Sequence, residues 1–339
     1  MVKKRRWTAM GNIKVLEICA GAGGQALGLE QAGFETAAAV EIDRDACATL
    51  RLNRPNWDVH QTDLKEFNAN SFVGVDLLAG GVPCPPFSVA GKQLGADDER
   101  DLFPSAIRLV RECQPKAVLL ENVRGLSSPR FADYRRAIIF ELGAMGYEVF
   151  WDLLKSSDYG VPQLRPRFVL VAIKREYSHR FDFPLADGVI FTVADAIGDL
   201  MAADNWSGVA RWKKKAAAIA PTIVGGSKKH GGADLGPTRA KRQWAELGVD
   251  GKGIANEPPN SDHPIDHMPR LTLRMAARVQ GFPDHWEFSG KKTSQYRQIG
   301  NAFPPPVARR IGEAIAAAIQ GTASKTKSNG KFNLEWAAE

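Results

Sequence analysis

Short apolar runs alternate with amphipathic stretches over the first 175 residues of the chain. Five of these runs are nearly continuous in apolar residues and are bounded by turn-forming residues, which is typical of buried β-strands. They are KVLEI (14–18), TAAAV (36–40), VDLLAG (75–80), AVLLENV (117–123) and FVLVAI (168–173). Segments between them, such as 25–32 and 101–113, have helical spacing. This alternation predicts an α/β fold with a doubly wound, mostly parallel sheet, whose ligands bind beyond the carboxyl ends of the strands.

The regular pattern breaks between about residues 174 and 268, where the pieces are short and rich in Gly and Pro. It resumes after Arg270: segment 271–280 predicts a helix, and segment 307–320 predicts another that begins firmly after three prolines. We therefore predict a larger domain of residues 11–178, to which 285–320 return, a smaller domain of residues 179–284, and basic or polar tails at 1–10 and 321–339.

The composition is that of an ordinary globular protein large enough for two domains. The chain has 339 residues, of which 44% are hydrophobic and 24% are charged. No apolar run approaches the roughly 18 to 20 residues that cross a bilayer. The basic start MVKKRRWTAM is not followed by the apolar stretch of a signal peptide. We therefore expect a cytoplasmic protein that makes no membrane contact.

Cysteine and histidine spacings argue against disulfides and metal sites. The four cysteines, Cys19, Cys47, Cys84 and Cys113, form no C-x-x-C pair, so we expect reduced thiols. His263 and His267 are spaced like ligands, but Pro264 lies between them and no cysteine is near. We therefore expect no metal.

Basic residues are concentrated in one part of the chain. The formal net charge is +7. Between residues 205 and 245, nine basic residues stand against the single acid Asp234, while the remaining residues nearly balance. Such a block can be a solvated surface, but its interleaving with glycines and with Trp212 and Trp244 favours contact with nucleic acid.

Glycines follow the first predicted strand in the segment LEICAGAGG. Gly21, Gly23 and Gly24 would let the backbone pass close to a ligand at a helix N-terminus, although a tight turn or a dinucleotide site would look similar. Glu41, about twenty residues later, could accept hydrogen bonds from ribose hydroxyls or cap a helix. Asp63 could bind an adenine amino group or cap a turn.

The segment GGVPCPPFSVAGKQ (80–93) displays one cysteine between prolines. Pro83, Pro85 and Pro86 fix the backbone around Cys84, which would lie at the carboxyl edge of the sheet rather than inside a strand. Glu121 ends the next predicted strand on the same side. A thiol that adds to an electron-poor ring needs an acid at the ring nitrogen, and a shielded glutamate can supply that proton.

Together these segments resemble the bacterial-type cytosine-C5 DNA methyltransferases. The resemblance runs from Lys14 to Ile319 with order and spacing in agreement. It rests on the glycine loop, Glu41, Asp63, PCPPFS, ENV, QLRPRFVLVAI (163–173), RLTLRMAARVQGFPD (270–284) and QIGNAFPPPVARRI (298–311). Residues 174–268 match only in location, basic charge and the pair Thr222-Ile223. The resemblance implies the Rossmann-like fold of class I S-adenosylmethionine-dependent methyltransferases.

The resemblance also implies the chemistry and its residues. Cys84 would attack C6 of cytosine, so that C5 takes a methyl group from S-adenosylmethionine and leaves S-adenosylhomocysteine. Glu121 would engage N3 and the exocyclic amine, Arg165 would steady the O2 side, and Arg167 would support the same strand. The implied cofactor-binding residues are Cys19, Ala20, Gly21, Gly23, Gly24, Glu41, Ile42, Asp63, Leu64, Val82, Pro83 and Asn301.

The implied partner is double-stranded DNA, from which the target base must be flipped. The loop 88–101 would close over the DNA, and the smaller domain would recognise the target sequence. The implied contacts are Ser88, Gln93, Lys213, Lys214, Lys215, Thr222, Lys228, Lys229, Arg239, Lys241 and Arg242. We expect a monomeric, nucleoid-associated restriction-modification or orphan enzyme, with no physical complex with any cognate endonuclease.

Two positions depart from the family pattern, and two rival functions stay open. The family has phenylalanine where this chain has Cys19, and glutamate where it has Met275. Methylation of RNA is possible within the same fold, although the basic middle region favours DNA. A non-catalytic DNA-binding protein would keep the glycine loop but would have no use for Cys84, Glu121 and Arg165 together.

Overall fold

The computed structural model describes residues 13–83, 101–226 and 232–322. Its central sheet has seven strands in the order β3-β2-β1-β4-β5-β7-β6. They are β1 Ile13–Ile18, β2 Phe34–Glu41, β3 Val59–Gln61, β4 Leu77–Gly81, β5 Ala117–Val123, β6 Tyr147–Lys155 and β7 Pro166–Lys174. Strands β1 to β5 pair in parallel, whereas β7 is antiparallel to both β5 and β6. The predicted doubly wound, mostly parallel sheet is confirmed.

Two strands were not predicted from the apolar pattern. Strand β3 has only three residues, VHQ, and none of them is buried. Strand β6 lies at the sheet edge, and its sequence YEVFWDLLK mixes charged residues with the buried Tyr147 and the partly buried Phe150 and Trp151. An edge strand lacks the continuous apolar run by which the central strands were recognised.

Eleven α-helices surround or extend the sheet within the described residues. They are α1 Gly24–Gln31, α2 Arg44–Asn53, α3 Phe103–Cys113, α4 Ala132–Ala144, α5 Arg175–Ser178, α6 Val193–Ile197, α7 Val209–Lys215, α8 Thr238–Glu246, α9 Leu273–Val279, α10 Lys292–Asn301 and α11 Pro305–Gln320. The predicted helix after the prolines is α11, which begins at Pro305 and ends before Gly321 in the left-handed conformation. None of the described helices is long and apolar enough to cross a membrane.

Each sheet face carries its own hydrophobic core. Helices α3 and α4 cover one face, and α1 and α11 cover the other. Helices α1 and α11 approach closely because Gly28 has no side chain: a β-carbon there would lie 2.3 Å from the carbonyl oxygen of Pro305. This contact returns the C-terminal helix to the sheet beside the glycine loop, as predicted for segment 307–320.

The smaller region packs around buried tryptophans. Trp206, Trp212 and Trp244 share one cluster with residues of α6 and α9. The same cluster contains Trp286 and Tyr296 from the segment predicted to return to the larger domain. Of the two helices in residues 285–320, α10 therefore contributes to the core of the smaller region, whereas α11 packs on the sheet.

Candidate active site

A cavity of about 500 Å³ lies beyond the carboxyl ends of the parallel strands. Ten of the twelve predicted cofactor-binding residues line it: Cys19, Ala20, Gly21, Gly24, Glu41, Ile42, Asp63, Leu64, Pro83 and Asn301. Gly23 and Val82 lie behind the wall. Gly23 packs against Leu50 and Trp286, and the carbonyl oxygen of Val82 accepts a 3.0 Å hydrogen bond from Asn122.

Several residues of the loop between β1 and α1 have a left-handed backbone conformation. Gly21 and Gly23 have φ of 54° and 82°, which glycine adopts without strain. Cys19 has φ of 49°, an uncommon conformation for a residue with a side chain. The backbone N–H of Gly21 donates to Glu41 Oε2 at 2.7 Å. The loop and the end of β2 are thereby joined at the cavity wall.

The carboxylate of Glu41 does not cap a helix. Its Oε1 accepts from the N–H of Asp43 at 2.8 Å, and it is Asp43 that caps α2, by accepting from Asp45 and Ala46. Burial raises the pKa of Glu41, while its backbone hydrogen bonds oppose that shift. Each oxygen retains a lone pair that can accept a further hydrogen bond, so the predicted acceptor role remains available.

Glu121 lies in the cavity wall at the end of β5 and is buried. Its Oε1 forms an ion pair with Arg167 Nε at 2.7 Å. Burial raises the pKa of Glu121, and the nearby guanidinium groups of Arg167 and then Arg165 oppose that shift. The antiparallel pairing of β5 with β7 places these strands side by side, with Val123 opposite Arg167. The site therefore holds a shielded carboxyl group with one fixed cationic partner.

The two arginines of QLRPR have different surroundings. Arg165 is fully buried, and its guanidinium donates 2.8 Å hydrogen bonds to the carbonyl oxygens of Ile223, Gly300 and Ala302. Arg165 lies directly before β7 and has a φ of 24°. Residues two apart in a strand point to the same side of the sheet, but this positive φ frees Arg165 from that rule relative to Arg167. Arg167 therefore stands beside Glu121, and Arg165 is held by the main-chain carbonyl oxygens of its neighbours, while the contact of Arg165 with the O2 side of cytosine stays a prediction.

The cavity contains polar residues that the sequence analysis did not select. Gln25 on α1 and Arg297 and Gln298 on α10 line it. A polar residue on the sheet-facing side of an apolar helix is a signal that could have revealed Gln25. Glu17, a fully buried acid within the apolar strand β1, gives the same kind of signal.

Several predicted DNA contacts are on the surface of the smaller region. Lys213, Lys214 and Lys215 end α7 and are exposed, as are Arg239 and Arg242 on α8. Lys241 is half-buried and forms an ion pair with Asp234 at 2.8 Å. Thr222 is partly buried beside Ile223. The predictions for Cys84, Ser88, Gln93, Lys228 and Lys229 lie outside the described residues.

The remaining cysteines and histidines form no metal centre among the residues that the structure describes. Cys47 and Cys113 are buried free thiols. Cys47 donates to the carbonyl oxygen of Glu41 at 3.3 Å. The rings of His263 and His267 lie 4.3 Å apart, and Asn260 contacts His263.

Comparisons with known proteins agree with this arrangement. The C-5 cytosine-specific DNA methylase family matches residues 13–317. The chain is 58% identical to the type II methyltransferase M.NaeI of Lentzea aerocolonigenes, over 91% of this chain and 76% of that protein. It is 53% identical to M.NgoMIV of Neisseria gonorrhoeae, over 90% and 97% of the two chains.

Solved structures show the same fold. A prophage-encoded E. coli protein described as a DNA modification methyltransferase has a TM-score of 0.66 and 26% identity, covering 91% of this chain and 99% of that one. The Dnmt2 methyltransferase of S. pombe, at 18% identity and a TM-score of 0.61, shares the fold. The family match and the two type II methyltransferase relatives favour DNA over the RNA and non-catalytic alternatives. The chain belongs to the C-5 cytosine-specific DNA methylases and is an S-adenosylmethionine-dependent DNA cytosine-5 methyltransferase.

Proposed function

We propose that the enzyme methylates C5 of a flipped cytosine in a short duplex site, through a covalent bond between Cys84 and C6. The observation that carries this proposal is the buried Glu121, which is paired with Arg167 and lines the same cavity as Glu41 and Asp63. One cavity thus offers a shielded proton donor and a set of nucleoside acceptors. A DNA-binding protein without catalysis would need neither arrangement.

The described residues fit S-adenosylmethionine along the sheet edge. Asp63 follows β3, Glu41 ends β2 and Gly21 follows β1, in the spatial order of the strands. Asp63 would accept from the adenine amino group, Glu41 would accept from the ribose hydroxyls, and exposed Ile42 would cover the adenine. When bound, this cofactor supplies an electrophilic methyl group, and the proposed reaction uses no metal.

Glu121 would act on the cytosine ring. Burial raises the pKa of Glu121 against the opposing effect of Arg167, so its carboxyl group holds a proton more readily than an exposed glutamate and could pass that proton to N3 as electrons move onto the ring. Arg167 holds one carboxyl oxygen, so the orientation of Glu121 is fixed before the base arrives. This preorganisation avoids reorganisation of the carboxyl group during the reaction.

Cys84 would supply the nucleophile directly after Pro83, which lines the cavity. The thiolate adds to C6, Glu121 protonates N3, and the C5–C6 π electrons become available at C5. C5 would take the methyl group that the bound cofactor supplies, and the sulfur–methyl bond of the cofactor would break with its electrons left on sulfur. A base would then remove the C5 proton, the C6–sulfur bond would break to release the thiolate, and N3 would return its proton to Glu121, which restores the aromatic ring and the free enzyme.

The smaller region, residues 179–284, would recognise the target sequence, and residues 11–178 with 285–320 would hold the cofactor and the reacting base. The exposed Lys213, Lys214, Lys215, Arg239 and Arg242 would neutralise phosphates. We further propose that the enzyme is a monomeric cytoplasmic protein associated with the nucleoid. It would be the modification enzyme of a restriction-modification system and would form no complex with the endonuclease.

Covalent trapping tests this function. Bisulfite sequencing of DNA from cells expressing the enzyme identifies the modified site, and a duplex carrying 5-fluorocytosine at that position is then incubated with enzyme and S-adenosylmethionine. We expect a covalent complex, because fluorine at C5 blocks the final elimination. Cys84→Ala should abolish the complex and retain DNA binding, whereas the control Cys113→Ala should still form it. A complex formed by Cys84→Ala would overturn the nucleophile.

A further inference from the structure

Gln25 carries an unpaired amide in the wall of the cavity. Its side chain is 4% exposed, it lines the cavity, and neither Nε2 nor Oε1 has a hydrogen-bond partner within the described part of the chain. A buried polar group without a hydrogen-bond partner destabilises the folded protein. Such a cost is explained when a ligand supplies the missing partners.

The position of Gln25 along the sheet edge identifies the part of the ligand that it faces. The acceptors for a nucleoside, Asp63 and Glu41, follow β3 and β2, whereas the reacting base would lie near Glu121 at the end of β5. Strands β1 and β4 lie between these two ends. Gln25 is the second residue of α1, which follows β1 after a five-residue loop.

The packing of α1 supports this placement. Leu29, four residues after Gln25 and therefore on the same side of the helix, packs in the core beneath α1 with Val15 and Ala79. The start of α1 also abuts the far wall of the cavity, since a β-carbon at Gly24 would lie 2.5 Å from the carbonyl oxygen of Phe303. Gln25 therefore lies over the middle strands, between the nucleoside acceptors and Glu121.

We propose that the carboxamide of Gln25 binds the amino-acid end of S-adenosylmethionine. This inference rests on the proposed cofactor site. The amino-acid end carries an ammonium and a carboxylate, and a carboxamide can accept from the first and donate to the second. The unpaired backbone N–H groups at the start of α1 add further donors for the carboxylate.

The buried acid Glu17 does not oppose the binding of the ligand's carboxylate. Its aligned partner on β4, Ala79, belongs to the core beneath α1, so Glu17 is on the sheet face that carries α1. Burial raises the pKa of Glu17 to about 8, which keeps the carboxyl group neutral at pH 7. A neutral acid adds no negative charge opposite the ligand's carboxylate.

The test compares two ligands that differ in the amino-acid end. Calorimetric dissociation constants are measured on the full-length enzyme for S-adenosylhomocysteine and for 5′-methylthioadenosine, which lacks the ammonium and carboxylate. We expect Gln25→Met to weaken S-adenosylhomocysteine about tenfold and to leave 5′-methylthioadenosine within twofold. The control is Gln31→Met, an exposed position on the same helix, which should change neither constant.

The outcomes separate this inference from the proposed cofactor. Unchanged binding of S-adenosylhomocysteine to Gln25→Met, or equal weakening of both ligands, would overturn the role of Gln25 and leave the cofactor assignment intact. Failure of the wild-type enzyme to bind S-adenosylhomocysteine would overturn both. Gln25→Glu should weaken S-adenosylhomocysteine increasingly as pH rises, because the buried glutamate repels the ligand's carboxylate only when it is ionised, whereas the effect of Gln25→Met should not change with pH. Retained 5′-methylthioadenosine binding shows that each variant is folded.

Discussion

Arg165 and Arg167, which are separated by one proline, show how local backbone conformation decides which groups a side chain contacts. Arg165 donates to three main-chain carbonyl oxygens and has no access to solvent. Arg167 is bound to the carboxylate that faces the cavity. Arg165 has a positive φ, and the two residues of the same type in one motif have different partners, so we expect Arg165 to act mainly on stability and Arg167 mainly on chemistry.

Methionine substitutions should separate these two roles. Arg165→Met removes the donor to the buried carbonyl oxygens of Ile223 and Gly300, whereas Ala302 keeps its hydrogen bond from Gln280, so we expect the free energy of unfolding to fall by about 3 to 5 kcal/mol. Arg167→Met leaves Glu121 without its partner, so we expect kcat to fall roughly 100-fold or more, with unchanged affinity for S-adenosylhomocysteine. Urea unfolding, single-turnover methylation and calorimetry measure these quantities. An unchanged kcat for Arg167→Met, or an equal loss of kcat in folded Arg165→Met, would contradict the division.

Glu17 should make stability depend on pH. Its pKa is raised to about 8 in the folded protein, whereas an exposed glutamate titrates at about 4.3. Between these values the folded state binds the extra proton, so stability falls as pH rises, by about 4 to 5 kcal/mol across the window. Glu17→Gln removes this dependence. Urea unfolding of both proteins at pH 5, 7 and 8.5 should show the variant gaining relative stability at each step; a constant difference would refute the assignment.

At the scale of elements, the contact of α1 with α11 brings the C-terminal helix to the cofactor loop. The contact depends on Gly28, where a β-carbon would lie 2.3 Å from backbone oxygen and 2.8 Å from the backbone nitrogen of Arg309. Backbone atoms cannot move aside as the end of a flexible side chain can. The helices must therefore separate if any larger residue replaces this glycine.

Gly28→Ala should consequently destabilise the protein by about 2 to 4 kcal/mol, in the range of overpacked cores. The matched control is Gly143→Ala on α4, where a β-carbon meets no atom within 4 Å. Alanine favours helix over glycine by about 1 kcal/mol, so the control should be neutral or stabilising. Thermal unfolding of both variants measures the difference. Equal transition temperatures would show that α1 and α11 adjust without cost.

The elements differ in how far the sequence alone revealed them. Central strands such as AVLLENV were recognised because burial on both faces requires continuous apolar residues. Strand β6 escaped because an edge strand does not require them. The positions of Glu41 and Glu121 at the ends of predicted strands indicated that both would lie at one site. No sequence pattern distinguishes Arg165 from Arg167, because they differ in backbone conformation, with a positive φ at Arg165. Gln25 and Glu17 required knowledge of which face each element buries.

At the scale of the whole molecule, charge is distributed in a way that suits a polyanion. Lysines 213 to 215 extend from the C-terminal end of α7 and are exposed, while Trp212 anchors that helix in the core. Positively charged side chains are stabilised near the C-terminal end of a helix, so the cluster of three lysines there costs the protein little stability. Lys241 differs, because Asp234 offsets its charge.

The salt dependence of DNA binding should report this difference. If the three lysines contact phosphates, replacing all three with glutamine should lower the slope of log K against log salt by about 2 to 3, since each phosphate contact contributes about 0.9. The control Lys241→Gln removes a charge that is already paired, so its slope should stay close to that of the wild type. Fluorescence anisotropy with a duplex of unrelated sequence, from 50 to 300 mM salt, isolates this electrostatic contribution. An unchanged slope for the triple variant would place the DNA on another face, whereas a reduced slope with unchanged affinity for S-adenosylhomocysteine would locate the DNA along α7.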